Sequence, residues 1–554
     1  MNIEQVSDSY MAIDIALADF FAGDIKSDQQ KSLLETTIKE LSQKMRSGHT
    51  GIPVSDAVRI AFQETGLASD GSQIKPFVVE DSSLYLYRYW KYESIIAESV
   101  RNLSRVAPQA LSNIESILTQ LFPVETLDTS IEGIDWQKYA VEQSLNQNFS
   151  MITGGPGTGK TTTVIKLLSA LISIKKLDVK ISLAAPTGKA ASRLQESINS
   201  GKTKLQQLLG DTTDYIPDHV YTIHKLLGPK YLSPYFKYDQ TRKLPFDVVV
   251  IDEASMIDVP LMAKFLQALK PNARLILLGD IHQLASVEVG SVLADLSGAL
   301  PDQTFFLKKT YRFSGAIKAL ATHVNKQNYP QVLTVLANNG DEVELIAHGQ
   351  SALKFLLSKT IEYIANIKNS HDIATIFKHF NAFQILCSNN FGDYGLEGIN
   401  HFIEHGLENK NVISKSGGWY VGKPIMISEN VSHSSMRLNN GDIGICLPDA
   451  EGKLFVYFES DSLGYKKYSP SKLPKYQVAY AMSIHKSQGS EFDHVVIALP
   501  ETSNPILTKE LLYTGITRAK KHVTMIANRS ILQEMIAQKV SRNGGLARKI
   551  KNTV

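Results

Sequence analysis

The sequence predicts an α/β protein built on parallel sheets with helices on both faces. Apolar runs of strand length recur with helical stretches between them, the pattern of strand–helix–strand units. Phe246-Asp247-Val248-Val249-Val250-Ile251 is nearly continuous in apolar residues, as a strand buried on both faces must be. Gly154 to Thr161 is glycine-rich and joins a short apolar run to a helix start, the setting a nucleotide-phosphate loop requires.

Residues 1–125 read as a mostly helical N-terminal domain. Ile13, Leu17, Phe20 and Phe21 form one apolar face, and Leu33, Leu34, Ile38 and Leu41 another. The aromatic stretch Ser82–Trp90 reads either as a docking surface or as a strand packed into that domain. Pro123–Gly133 is acidic and aperiodic, a linker.

Residues 126–325 read as the first parallel-sheet unit, with a small insertion at about 228–245 where prolines and aromatics break the pattern. Phe149–Thr153 is a strand, Gly155-Pro156-Gly157-Thr158-Gly159-Lys160-Thr161 the loop, and Thr162 opens the helix. Glycines let several N–H groups converge on one anion, and the helix N-terminus adds its positive dipole end. Lys160 would reach the β- and γ-phosphates of ATP, and the Thr161 hydroxyl would ligate Mg²⁺. Ile181–Ala185 is the next strand. The strand ending at Ile251 presents Asp252, a metal ligand, and Glu253, a base for the attacking water. Arg274–Leu278 leads to Gly279-Asp280, with Gln283 as a candidate γ-phosphate contact.

Residues 326–554 read as a second α/β unit on the strands Phe383–Cys387, His494–Leu499 and His522–Ala527, with a β-rich, barrel-like insertion at about 395–480. Asn440-Gly441 is a hairpin signal within it. This unit has no phosphate loop. Two such units with one loop predict ATP in the cleft between them, with Arg312 and Arg518 reaching the γ-phosphate as arginine fingers. For either arginine alone, a surface ion pair is the commoner fate.

Composition narrows the class. The 554 residues are 43% hydrophobic and 20% charged, with a net charge of +3, so a nucleic-acid path must be a local stripe. Two cysteines, Cys387 and Cys446, exclude a disulfide framework, a four-cysteine zinc site and an iron–sulfur cluster within this chain, and fit a reducing, cytoplasmic setting. Met1–Gln5 carry no basic start or apolar core of a secretory signal, and no uncharged apolar stretch is of membrane-spanning length.

The motifs occur as an ordered set: the phosphate loop, Ala-Pro-Thr-Gly-Lys-Ala-Ala at 185–191, Thr222-Ile223-His224, Asp252–Met256, Gly279-Asp280 with Gln283-Leu284, Tyr311-Arg312, Ser483–Gly489, and Tyr513-Thr514 with Thr517-Arg518-Ala519. This set resembles the superfamily 1 DNA helicases. Leu284–Glu288, Gly544–Ala547, Gly48-His49 and Leu84–Trp90 narrow the resemblance to the RecD family, the alpha subunits of bacterial exodeoxyribonuclease V (RecBCD). The resemblance covers nearly the whole chain, more weakly over 1–125 and 395–480.

It implies two RecA-like P-loop domains and an ATP-dependent motor moving 5′ to 3′ on single-stranded DNA and acting at duplex ends. Gln137 matches an adenine-reading glutamine. Thr187, Thr222, His224, Ser483 and His485 match positions that touch single-stranded DNA; bottom-up, each alone reads as a loop or cap residue. RecB-like and RecC-like subunits are the implied partners, with residues 1–125 docking on the latter. That raises the interface reading of the Tyr85–Trp90 patch. DNA cleavage is expected in a partner, since no metal-nuclease constellation stands out. The absence of a long N-terminal extension favours the complex-bound form over the stand-alone RecD-like helicases. A nucleotide-gated regulatory subunit is the competing reading, and an independent helicase a third.

Overall fold

A computed structural model describes residues 10–105, 114–124, 127–174, 179–311, 315–370, 372–433, 436–460 and 464–552. The first core is a six-stranded sheet. Across it run Thr304–Phe306, Phe149–Thr153, Arg274–Gly279, Val248–Ile251, Ile181–Ala185 and Val220–Thr222, every neighbouring pair parallel. Alternate residues serve opposite faces. Met151, Val249, Ile251, Leu275 and Leu277 enter one apolar cluster, and Ile152, Val248, Val250, Ile276 and Leu278 the other. This double burial is why the strands show no polar alternation.

The second core is a five-stranded parallel sheet in the order Val343–Ile346, Ala519–Ile526, Phe492–Ala498, Phe383–Cys387, Ala481–Ser483. Between its last two strands in space the chain inserts a helix and an antiparallel sheet. The helix, Leu396–Asn409, buries Leu396, Ile399, Ile403 and Leu407 and stands where a β-rich stretch is expected from sequence. The antiparallel sheet orders Gly464–Tyr468, Leu454–Ser460, Ile443–Pro448, Pro424–Ile427 and Tyr476–Val478. Asn440-Gly441 does turn the chain, with Asp442 N–H donating to the Asn439 carbonyl at 3.0 Å. It does not join paired strands: Met436–Leu438 pairs with Val431–His433, and Ile443–Pro448 belongs to the larger sheet.

The N-terminal region is mostly helical, with a small four-stranded sheet of Gly51–Pro53, Ser83–Leu86, Phe77–Glu80 and Ala68–Ser69 against helices Ala12–Ala22, Asp28–Arg46 and Asp56–Glu64. Leu34, Ile38, Leu41, Phe62, Phe77 and Leu84 fill its core. The first helix turns Ala18 and Ala22 inward and leaves Ile13 and Phe20 at the surface, 59% and 79% exposed. The cause is Asp14, buried and bound by Ser42 Oγ at 2.6 Å and by Arg46, which sets the helix rotation. The Tyr85–Trp90 patch splits: Ser83–Leu86 is a strand, and Tyr87 begins the helix Tyr87–Arg105. That helix buries Ile96, Ala97, Val100 and Leu103 against the first parallel sheet. The 228–245 segment projects Tyr231 and Leu232 into solvent and is closed by a bridge between Pro229 and Phe236, with Lys237 N–H donating to the Gly228 carbonyl at 2.7 Å. Both cysteines are fully buried. Among the described residues no helix is long and apolar enough to cross a membrane.

Candidate nucleotide site and nucleic-acid face

Strand Phe149–Thr153 delivers the chain to Gly154, and helix Lys160–Ile174 leaves from the far side of the loop. Gly157 (φ 74°) and Gly159 (φ 83°) adopt the left-handed backbone that curls the loop. A Cβ on Gly159 would fall 2.3 Å from Gln137 Nε2, so the glutamine lies directly against the loop. Lys160 Nζ donates to the carbonyls of Gly154 (2.7 Å) and Gly155 (3.0 Å). Tyr311 N–H donates to the Gly157 carbonyl at 2.7 Å and steadies the loop from outside.

Strand Val248–Ile251 ends in the two acids. The Asp252 carboxyl is pushed well above the usual range by burial and by Glu253, while Lys160 and Arg193 pull it back. Glu253 holds a left-handed backbone (φ 51°), a conformation that costs a non-glycine residue roughly 1–3 kcal/mol. Its N–H donates to Asp252 Oδ1 at 2.8 Å, which fixes the pair. Strand Arg274–Gly279 ends at the buried Asp280, whose carboxylate accepts from Gln283 Nε2 (3.2 Å), His282 N–H (3.0 Å) and Tyr513 Oη (2.9 Å).

Tyr513 belongs to the second unit, and more of that unit reaches across. Arg518, 2% exposed, donates from Nη2 to Gln283 Oε1 at 3.0 Å and from Nε to the Thr514 carbonyl at 3.2 Å. Leu284 N–H donates to Thr514 Oγ1 at 3.0 Å. Arg193, on helix Gly188–Leu209 of the first unit, pairs with Glu491 of the second. The two units thus enclose a cleft of about 720 Å³ lined by Gln137, Pro156, Gly157, Gly159, Lys160, Thr161, Thr162, Asp252, Glu253, Gln283 and Arg518, among others. That volume suits a nucleotide.

A second group lies at the carboxyl ends of other strands. Thr187 and Thr222 cap the N-termini of helices Gly188–Leu209 and Ile223–Leu227, accepting from Ala190 N–H (3.2 Å) and Lys225 N–H (3.3 Å). Thr222 pairs in register with Ala185, so the two caps leave neighbouring strands at one edge. Ser483 ends strand Ala481–Ser483 and accepts from Lys486 N–H at 3.3 Å. His224 is exposed, edge-on to Phe236, while burial lowers the basicity of His485. The turn at Asn439–Asn440 spans the two sets. Asn439 closes over Gly188, where a Cβ would stand 3.2 Å from its Cγ, and Lys486 Nζ donates to Asn440 Oδ1 at 2.5 Å.

Comparison with known proteins identifies the family. The AAA domain family matches residues 137–289, and the UvrD-like helicase C-terminal domain matches residues 478–526. The RecBCD enzyme subunit RecD of Haemophilus influenzae is 37% identical over 541 residues, covering 87% of this chain and 82% of that protein. The chain belongs to the RecD family of superfamily 1 helicases. The RecD of Mycolicibacterium smegmatis is 33% identical, covering 84% of this chain and 82% of its own length. The ATP-dependent RecD2 DNA helicase of Deinococcus radiodurans is 28% identical and is covered over 52% of its length. As a RecD-family member the chain is an ATP-hydrolysing DNA helicase on two RecA-like sheets.

In this RecD-family chain the cleft brings together most of the residues singled out from sequence. Gly155 and Thr158 stand behind its wall: Thr158 is buried and donates from Oγ1 to the Gly155 carbonyl at 2.9 Å, bracing the loop from within. Arg312 lies outside the described residues; its neighbour Tyr311 lines the cleft. Thr161, Asp252 and Glu253 offer hydroxyl and carboxylate oxygens. These hard oxygen donors, one hydroxyl and two carboxylates, fit Mg²⁺, which takes one or two carboxylates and completes its shell from phosphates and water. Sequence reasoning missed Arg193, Glu491 and Lys520. A signal for the first was available: Ala190, Arg193, Leu194 and Ser197 line the cleft at the i, i+3, i+4, i+7 spacing of one helix face.

Proposed function

We propose that this chain is a 5′-to-3′ single-stranded-DNA translocase, the motor of a helicase–nuclease that processes double-strand DNA ends for recombination repair. The observation that carries the reading is the Gln283–Arg518 hydrogen bond, which joins the two units across the cleft. A site assembled from two bodies ties their closure to the presence of a γ-phosphate.

Lys160 and the loop N–H groups hold the phosphates, and Gln137 reads adenine. Bound Mg²⁺, held through Thr161 and Asp252, supplies charge neutralisation of the phosphates. Glu253 orients the attacking water and accepts its proton as the bond to ADP breaks. Gln283, Arg312 and Arg518 stabilise charge on the transferred group. Loss of that group frees Arg518 and Gln283 to part, and the units reopen. Thr187, Thr222, His224, Ser483 and His485 hold the DNA backbone through sequence-independent hydrogen bonds, some on each unit, so opening and closing become a step along the strand. RecB-like and RecC-like chains are the partners, the latter on residues 1–125. The nuclease belongs to a partner, and the complex works in the cytoplasm.

The test is ATP turnover with and without single-stranded DNA, then unwinding of duplexes carrying a 5′ or a 3′ tail. Strong stimulation with unwinding from the 5′ tail alone is expected. Turnover indifferent to DNA, or unwinding from the 3′ tail, overturns the reading.

A further inference from the structure

The loop that carries Gln283 onward has neither strand nor helix between Gly279 and Val292. It is held at both ends by other parts of the chain. At its start, Leu284 N–H donates to Thr514 Oγ1 of the second unit at 3.0 Å. At its far end one guanidinium collects three alternate carbonyls. Arg542 Nη2 donates to Ser286 O (2.6 Å), and its Nη1 to Glu288 O (2.9 Å) and Gly290 O (2.6 Å). A guanidinium is suited to this, since its planar fork presents several fixed donors and no acceptor.

Arg542 is itself anchored. Gly48 packs so closely on it that a Cβ there would fall 2.8 Å from the guanidinium. Gly290 N–H donates to the Gly48 carbonyl (2.9 Å), Asn543 N–H to His49 Nδ1 (2.9 Å), and Thr50 N–H to the Asn543 carbonyl (3.0 Å). Two residues on, Gly545 N–H donates to the buried Glu93 carboxylate at 3.0 Å, which also accepts from Thr50 Oγ1 at 2.6 Å. The short helix Leu546–Lys551 then buries Leu546 and Ile550 in the core of the first unit. The segment from Arg542 onward therefore runs as a strap between the N-terminal region and the first sheet.

We propose that Arg542 is a positioning residue for ATP hydrolysis: by gathering the carbonyls of Ser286, Glu288 and Gly290, it sets the loop that holds Gln283 against Arg518. This rests on the reading of Gln283 as a γ-phosphate contact. Without regular hydrogen bonding the loop depends on such tethers, and the guanidinium supplies three of them beside those at Leu284, Val289 and Gly290. Arg542 does not line the cleft, so its effect falls on turnover and leaves ATP binding alone.

The test uses the full chain and four variants: Arg542→Ala, Arg542→Lys, Gln283→Ala and the double variant Gln283→Ala with Arg542→Ala. Arg548→Ala is the control, because Arg548 ties the strap to Tyr85 Oη (3.2 Å) and Asp81 (3.0 Å) without meeting the loop. Arg542→Ala is expected to lower kcat about 10- to 100-fold, the scale of a misplaced catalytic group, with KM for ATP unchanged. Arg542→Lys recovers part of the loss, Arg548→Ala keeps kcat, and the double variant loses no more than Gln283→Ala alone. If Gln283→Ala lowers kcat while Arg542→Ala does not, the proposal fails and the Gln283 reading stands. It also fails if the two losses multiply, or if Arg548→Ala lowers kcat as much as Arg542→Ala. If Gln283→Ala itself keeps kcat, the reading on which the proposal rests is the one that fails.

Discussion

The two parallel sheets share an architecture and meet the cleft with opposite ends. The first turns its strands' carboxyl ends toward it: Thr153 into the phosphate loop, Ile251 into Asp252 and Glu253, Gly279 into Asp280. The second turns its amino ends: Glu491 just before strand Phe492–Ala498, Arg518 just before Ala519–Ile526, and Lys520 at that strand's start. Loops at carboxyl ends lead into helix N-termini, whose N–H groups and dipoles hold anions with main chain alone. Amino ends have no such resource. They contribute long charged side chains that reach across. In the proposed function, the first sheet therefore supplies the binding groups, while the second senses and completes the site.

This contrast orders the expected effects. Lys160→Ala strikes the binding side hardest: hydrolysis falls by at least about 10³-fold with the melting temperature unchanged, since no core is lost. Wild-type turnover from that variant breaks the assignment. Glu253→Gln lowers turnover about 10³-fold and keeps ATP binding, read by nucleotide titration. Arg518→Ala strikes the sensing side, with a loss of about 10³-fold and little change in ATP affinity. If it weakens affinity as much as rate, the division between binding and sensing sheets is wrong. Gln137→Ala sharpens the binding side, raising KM for ATP about tenfold with kcat kept.

The smallest effect probes a histidine pair within the second sheet, in strands Phe492–Ala498 and Ala519–Ile526. There His494 lies edge-on to His522 at 4.4 Å and bonds Thr524 Oγ1 at 2.9 Å. Burial first, then His522, pushes the His494 pKa down to about 3. The unfolded chain binds that proton near pH 6.5, so stability is full above 6.5 and is lost as pH falls toward 3. His494→Phe should recover about 1 kcal/mol at pH 5.5 relative to pH 7.5, a figure discounted for partial exposure. Equal melting shifts in wild type and variant sink this.

What was legible followed locality. The phosphate loop, the acids at 252–253 and the inner strands of both sheets are each written in one short segment, so pattern alone places them; the short edge strands Thr304–Phe306, Val220–Thr222, Val343–Ile346 and Ala481–Ser483 escape that reading. Arg193 and Glu491 pair from segments some three hundred residues apart in sequence, and only packing joins them. Asn440-Gly441 announces a turn correctly, yet a turn signal says nothing about which strands pair on either side. Of the N-terminal sheet only Ser83–Leu86 was legible, as the packed-strand reading of Ser82–Trp90; the other strands run only two to four residues, too short to show alternation. Leu396, Ile399, Ile403 and Leu407 do carry the helical period, but the turn-rich stretch beyond them dominates a reading by composition.

The two cysteines bear on how the cleft can be watched. Cys387 and Cys446 are both sealed inside, and burial pushes both thiols up, that of Cys446 to about 12. At neutral pH neither offers a thiolate to a maleimide. A reporter cysteine introduced on the outer surface of each parallel-sheet unit would therefore take dye without background, with both native cysteines left in place. The distance between two such dyes through an ATP cycle would record whether the units close on nucleotide and part after its hydrolysis.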